Sequence, residues 1–410
     1  MNREALVVAL PDQAGDDGLV ATGAAMPRSR WPCHAEDEIA AVADVLRSGR
    51  VNALHHGDQT RAFETEFAAA CAMPHAIAMA NGTVTMEVAL RALGIGPGDE
   101  VIVSPRSFIA SASVVVAVGA TPVFADVDAD SQNITAATIA AVMTPQTRAL
   151  LPVHLAGHPC DMDAIMALAR GAGLSVIEDC AQAHGGSWRG KPLGSYGDAA
   201  SFSFCTDKIM STGGEGGMLL LRDADAHARA WSLKDHGKTL RPAEAPGPAF
   251  RWLHDGFGSN LRMTEMQAAI GRRQLARLPQ WRAARQRNAA VLDAAFCDQP
   301  ALRLPPPEPG HARYKYYAFV RPERLAPGWS RERIVAAAMA AGVAANSGIC
   351  PEIYREAAFR RAGIGPPQRL PVARALGETS LMLPVDPTMS AADMAVVARG
   401  LAAILREATA

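Results

Sequence analysis

Four short stretches of the chain carry residue types able to do chemistry. Lys208 follows Ser201-Phe202-Ser203-Phe204-Cys205-Thr206-Asp207 and precedes the glycine-rich run Thr212-Gly213-Gly214-Glu215-Gly216-Gly217. A lysine desolvated in such a polar-aromatic setting loses its proton and attacks a carbonyl, which makes it a natural Schiff-base residue. At the surface the same lysine would only be solvated. The glycines do not form a nucleotide loop, because Lys208 precedes them and no GxxxxGK motif occurs. Asp179 ends the run Val176-Ile177-Glu178-Asp179. Ligands of open α/β sheets sit beyond the carboxyl ends of strands, so Asp179 falls at a site while Glu178 faces elsewhere; the alternative is a surface acid. Asn81-Gly82-Thr83 stands between a strand and a helix. Gly82 permits a tight turn, and the free N–H groups of the helix that Thr83 opens suit a phosphate. An ordinary helix cap fits the same triplet. Phe108 follows a strand and opens a helix; it offers either an aromatic face or core packing.

Pyridoxal 5'-phosphate (PLP) uses all four features at once. It takes a lysine on its aldehyde, a carboxylate against its pyridine nitrogen, an anion cradle for its phosphate and an aromatic face on its ring. Competing chemistries lack their residues. No GxGxxG follows the early strands, which excludes a nicotinamide fingerprint. His154 and His158 are spaced i, i+4, but without HExxH or a third ligand they give no metal site.

These residues must be held by elements, and the sequence marks them. Helical spacing covers 35–47, 62–72, 83–93, 108–118 and 161–169. Short apolar runs at 75–80, 100–103, 121–125, 149–153 and 174–177 read as strands. Their alternation with helices predicts an α/β fold with a mostly parallel central sheet and helices on both faces. The alternation fades after about residue 222. A long helix is expected over 264–293, broken at Pro279, followed by the Pro-rich linker 305–309, a strand at 316–321 and helices at 331–341 and 391–406. The expected organisation is a loose N-terminal arm at 1–27, a large PLP-binding α/β domain at 28–289 and a smaller C-terminal α+β domain at 290–410.

Composition narrows the partners. The 410 residues are 49% hydrophobic and 20% charged, with net charge −1. That excludes disorder, and it argues against nucleic acid or an anionic membrane as the main partner. Residues 107–125 carry no charge, yet they divide into a helix and a strand and read as buried core rather than a membrane span. Seven scattered cysteines without a CxxC pair fit a reducing cytoplasm.

The ordered motifs make the chain resemble the DegT/DnrJ/StrS family of PLP-dependent sugar aminotransferases, fold type I, from about residue 30 to 405. The resemblance is carried by Leu46-Arg47-Ser48-Gly49, Phe63-Glu64, Asn81-Gly82-Thr83, Gly96-Pro97-Gly98-Asp99-Glu100-Val101 and the stretch 119–128. It continues through Glu178-Asp179-Cys180-Ala181-Gln182-Ala183-His184-Gly185, Phe202-Ser203-Phe204 with Lys208, the stretch 212–217, Asn260-Leu261-Arg262-Met263 and Leu383-Pro384. It implies that Lys208 forms the covalent link to the cofactor and Asp179 pairs with the pyridinium. Gln182 approaches the ring hydroxyl, Phe108 stacks on the ring, and Gly82, Thr83 and Ser203 hold the phosphate. It also implies that Asn260 reaches the phosphate of a neighbouring subunit, giving a homodimer with shared active sites; otherwise Asn260 would simply cap the helix that follows. The implied reaction moves an amino group from L-glutamate or L-glutamine to a keto sugar, most often a nucleotide-linked 4-keto-6-deoxyhexose. A keto-cyclitol aminotransferase and a PLP-binding regulator without turnover are the alternatives, the latter opposed by the lack of a helix-turn-helix arm or basic patch. One segment departs from the family: Ala53-Leu54-His55-His56-Gly57 stands where an aromatic and a hydroxyl residue are common, on the substrate side.

Overall fold

The structure is a computed structural model that describes residues 26–54, 57–239 and 252–409. His55, His56 and residues 1–25 of the expected arm lie outside the described residues. Met26, near the arm's end, already lies beside Gly342 and Gly400 and packs on the apolar cluster that holds Val343 and Leu401.

The first part of the chain runs α1 (Glu36–Ser48), α2 (Asp58–Ala70), β1 (His75–Met79), α3 (Gly82–Ala92), β2 (Glu100–Val103), α4 (Ala110–Ala117), β3 (Thr121–Phe124), α5 (Ala136–Ala140), β4 (Thr147–Leu151), α6 (Met162–Ala172) and β5 (Ser175–Asp179). A small ladder, β6 (Ser187–Trp188) and β7 (Lys191–Pro192), precedes β8 (Ala199–Ser203), β9 (Gly217–Leu221) and α7 (Ala224–Lys234). The uncharged stretch 107–125 divides into α4 and β3, and no helix of the described residues is long and apolar enough to cross a membrane.

Seven strands form the central sheet in the order β1-β9-β8-β5-β4-β2-β3. The pairs from β8 through β5, β4 and β2 to β3 are parallel, and β9 alone runs antiparallel, between β1 and β8. Strands β1, β2, β5 and β8 therefore end on the same edge. That edge receives Asn81-Gly82-Thr83, Ser107-Phe108, Asp179 and Ser203 from four separate places in the sequence. The sheet interior is apolar on both faces: Ile77, Val101, Leu151, Ile177 and Leu219 are buried in one cluster, and Phe67, Ala78, Phe202 and Leu220 in another. Such two-sided burial is what a parallel sheet covered by helices requires.

The chain then forms α8 (Glu265–Phe296), a second sheet of β10 (Leu302–Arg303), β11 (Tyr316–Val320) and β12 (Ser380–Leu383), and helices α9 (Arg331–Ala340), α10 (Ala357–Ala362), α11 (Pro371–Thr379) and α12 (Ala391–Ala408). Helix α8 differs from the expected broken helix: it continues through Pro279 for 32 residues. A proline removes one helical hydrogen bond and crowds the preceding turn. Here α1 and α2 pack on α8, as does α12, and its Thr264–Gln267 capping box fixes the start. Tertiary packing outweighs the local cost.

Candidate active site

The edge where the parallel strands end opens into a cavity of about 700 Å³. It brings together Gly82, Thr83, Phe108, Asp179, Gln182, Ser203 and Lys208, seven of the eight site residues expected from the sequence.

The anion cradle is built at the start of α3. Asn81, rather than Thr83, is the cap: its side chain accepts from Val84 N–H at 3.0 Å. The first N–H groups of a helix have no internal acceptor, so those of Gly82 and Thr83 are free to serve a ligand. Glycine is required at 82 because a Cβ there would stand 2.6 Å from Ser203 Cβ. This close approach brings the end of β8 against the helix start.

Asp179 and Glu178 leave β5 on opposite sides, as strand alternation dictates. The Asp179 carboxylate faces the cavity and accepts from Ser111 Oγ at 2.7 Å and Ala181 N–H at 3.1 Å; Ser111 in turn meets Ser107 at 2.8 Å. Glu178 is consumed by the fold. It accepts from the N–H groups of Gly194, Tyr196 and Gly197 and faces His154 Nε2 at 3.1 Å. Burial alone would raise the Glu178 carboxyl, but the His154 contact and the glycine N–H groups hold it below the usual carboxylate range. Cys180 brings a third ligand-type atom near this pair. However, His154 Nδ1 already accepts from Cys160 N–H, which commits both ring nitrogens to the protein.

Gln182 is oriented by its backbone surroundings. Its side-chain oxygen accepts from Ala156 N–H at 2.7 Å, which leaves its NH₂ group as the donor offered to the cavity. Phe108 is 62% exposed, an unusual state for a large aromatic side chain and a fitting one if a planar ring is to cover it. Lys208 is half-buried, with Asp207 3.9 Å from its ammonium. Behind it His184 packs on Phe202 and Phe204, and burial, with Lys208 and Arg285, drives its imidazole down to about 3. The His184 imidazole behind the lysine is therefore uncharged at neutral pH.

Asn260 is placed elsewhere. It is exposed, pairs with Asp235 through an isolated bridge, and does not line this cavity. Nor does it cap α8, a role taken by Thr264. Nearby Phe257 is fully exposed.

The wall facing the sheet was not legible from motifs. It consists of Tyr314, Lys315, Tyr317, Gly348, Ile349 and Met382. The Tyr314 hydroxyl donates to Asp207, and burial together with Asp207 raises the phenol so that it stays protonated. This segment is pinned by Ala312 N–H to Gly157 O at 2.8 Å and Tyr314 N–H to Ala156 O at 2.9 Å. Ala156 and Gly157 both have positive φ, and a Cβ on Gly157 would lie 2.9 Å from Ala312 Cβ and from Gln182 O. The tyrosine-rich run Tyr314-Lys315-Tyr316-Tyr317, which leads into and opens β11, is the one sequence signal that could have drawn notice.

These residues fit PLP. The glycine-dependent cradle suits its phosphate, Asp179 its ring nitrogen, Phe108 its ring face and Lys208 its aldehyde.

Comparison with known proteins agrees with this chemistry. The profile of the DegT/DnrJ/EryC1/StrS aminotransferase family matches residues 32–402. A dTDP-3-amino-3,4,6-trideoxy-alpha-D-glucose transaminase of Streptomyces venezuelae is 37% identical over 349 residues, 85% of this chain and 86% of that protein. A UDP-N-acetyl-3-dehydro-alpha-D-glucosamine 3-aminotransferase of Acidithiobacillus ferrooxidans is 45% identical over 57% of this chain and 60% of its own length. The crystal structure of an aminotransferase from Psychrobacter cryohalolentis superposes with a TM-score of 0.91 at 47% identity, covering 93% of this chain and all of that one.

Proposed function

Because the chain belongs to the DegT/DnrJ/EryC1/StrS aminotransferase family, a family of PLP-dependent enzymes of fold type I, we propose that it transfers an amino group from L-glutamate or L-glutamine to a nucleotide-linked keto-hexose. The observation that carries this reading is the convergence of Lys208, Asp179, Phe108 and the Gly82–Thr83–Ser203 cradle in one cavity. When bound, PLP supplies an electron sink for the carbon that loses or gains the amine. Asp179 holds the ring nitrogen protonated through a charge-assisted hydrogen bond. Gln182 donates to the ring hydroxyl. Lys208 Nζ would anchor the cofactor and, as a free amine, would hold and move the proton of the donor Cα.

For the acceptor, a 4-keto-6-deoxyhexose is the first candidate. A 3-keto sugar is the second, favoured by the Acidithiobacillus relative, whose name specifies a 3-dehydro substrate. The exposed Asn260 and Phe257 support a homodimer in which Asn260 completes the partner's phosphate site. The seven unpaired cysteines support a cytoplasmic location.

The test assays purified protein against 3-keto and 4-keto nucleotide sugars and keto-cyclitols with each donor. Borohydride should fix PLP to the peptide containing Lys208. A colourless protein that neither binds PLP nor responds to borohydride overturns the reading, and turnover confined to keto-cyclitols overturns the sugar assignment.

A further inference from the structure

Opposite the sheet, Lys315 lines the cavity with a half-buried ammonium. Its contact among the described residues is the Tyr314 ring, 4.9 Å from the centre, and no carboxylate comes within ion-pair distance of it. The same ring lies 5.3 Å from Lys208 Nζ. The acid of this neighbourhood, Asp207, is committed to the Tyr314 hydroxyl and to Lys208. Glu215 also lines the cavity, and Asp386 and Arg285 lie within electrostatic range of Lys315, but none of them pairs with its ammonium; of the two ammonium groups at the Tyr314 ring, one is reserved for cofactor chemistry. The remaining cation is half-buried and rises from a fixed main chain. Its chain entry is fixed by the Ala312 and Tyr314 N–H bonds to Gly157 and Ala156, and by Arg285 donating to the Tyr314 carbonyl at 3.1 Å.

We propose that Lys315 binds the α-carboxylate of the amino donor. The proposal rests on the aminotransferase reading above and names the group that recognises its first substrate. The choice of donor over acceptor follows from bond counting. In an amino acid the carboxylate is one bond from the Cα whose proton Lys208 must reach. In a nucleotide sugar the anionic phosphates are separated from the keto carbon by part of the sugar ring. A cation sharing one aromatic ring with Lys208 matches the first spacing. Burial lowers the Lys315 ammonium below its ordinary value, which marks a charge held in reduced solvent and therefore strengthened toward an incoming anion.

The two half-reactions separate the possibilities. In the first, PLP-loaded enzyme is mixed with L-glutamate or L-glutamine and the loss of yellow colour is followed. In the second, enzyme loaded with pyridoxamine phosphate is mixed with a keto sugar that the wild type accepts, and the return of colour is followed. Lys315→Gln should need roughly 10- to 100-fold more donor in the first half-reaction, the loss expected for one charge-assisted hydrogen bond. It should stay within about threefold in the second. Its PLP content and borohydride labelling at Lys208 should be unchanged, and Lys315→Arg should recover part of the donor response. An unchanged donor dependence overturns the proposal, as does a loss confined to the keto-sugar half-reaction, which would assign Lys315 to the acceptor phosphates. If Lys315→Gln loses cofactor, Lys315→Met is judged by the same two measurements. A wild type that binds no PLP, or is not bleached by either donor, refutes the aminotransferase reading itself and this proposal with it.

Discussion

The two walls of the cavity are built by different means. On the sheet side the polar side chains that orient the site have fixed partners: Asp179 with Ser111 and Ala181, Gln182 with Ala156, and Asn81 capping the helix beside Gly82. On the opposite side the main chain is fixed while the Lys315 ammonium is left facing open space. A rigid, satisfied wall suits a cofactor that is the same in every turnover. A wall with a spare charge suits substrates that enter and leave. Preorganised polar groups cost no rearrangement at the moment of reaction, which is why the invariant partner belongs on the satisfied side.

The largest effect expected from this difference concerns the adjacent acids on β5. Asp179→Asn should lower turnover by about 100-fold or more for every donor and acceptor, because the charge that keeps the ring nitrogen protonated is gone. Glu178→Gln should instead lower the thermal midpoint, since breaking a buried charged network costs roughly 3 kcal/mol or more, while activity per folded molecule persists. Kinetics and thermal melts of both variants check this. A stable Glu178→Gln without activity would reverse the two assignments.

A smaller effect asks whether the two walls of one chain suffice. Inactive Lys208→Ala and inactive Asn260→Asp subunits, mixed and re-associated, should regain a fraction of wild-type activity, because one interface then joins two intact halves. Asp is chosen because its charge repels the phosphate. A verified mixed dimer without activity would show that each chain's cavity works alone.

The smallest effect lies beneath the sheet-side wall. Glu64 accepts from Ala78 N–H at 2.8 Å on β1, and burial pushes its carboxyl up to about 7 from 4.5. Between those pH values the folded chain keeps a proton that the unfolded chain has released, so stability falls as pH rises and the penalty is complete above about pH 7. Glu64→Gln keeps the acceptor oxygen and removes the penalty. Its melting temperature should match wild type near pH 4.5 and exceed it by about 3 °C above pH 7, a gap that melts across this pH range would measure. A constant gap would mean that Glu64 does not titrate as buried.

The sheet-side wall was legible in the sequence because its residues sit where strands end, and strand ends announce themselves. Glu178-Asp179 after Val176-Ile177 and Asn81-Gly82-Thr83 after β1 are local patterns. Strands β8 and β9 were less legible: Ala199–Ser203 mixes small, polar and aromatic residues, and Gly217–Leu221 is a short run after glycines. Both are strands because neighbours pair with them. The opposite wall was illegible for a stronger reason. Tyr314 and Lys315 follow a proline-rich linker, and they are held at the cavity by main-chain bonds to residues about 155 positions earlier and by Arg285 and Asp207. No local pattern encodes such a bond. The continuity of α8 through Pro279 was hidden in the same way, behind helices that pack on it from distant sequence.

The fastening of Ala312 and Tyr314 to Gly157 and Ala156 has a consequence for how such a molecule diverges. Main-chain amides and carbonyls are the same whatever side chain they carry. The half-buried Lys315 side chain, which lines the cavity, can therefore be exchanged through mutation while the strip stays in register with the cofactor wall. Gly157 itself cannot be exchanged, since any side chain there would strike both strips. One sterically fixed point thus lets the cation that faces the substrate be replaced, so that a lineage can adopt new substrates without rebuilding the machinery that transforms them.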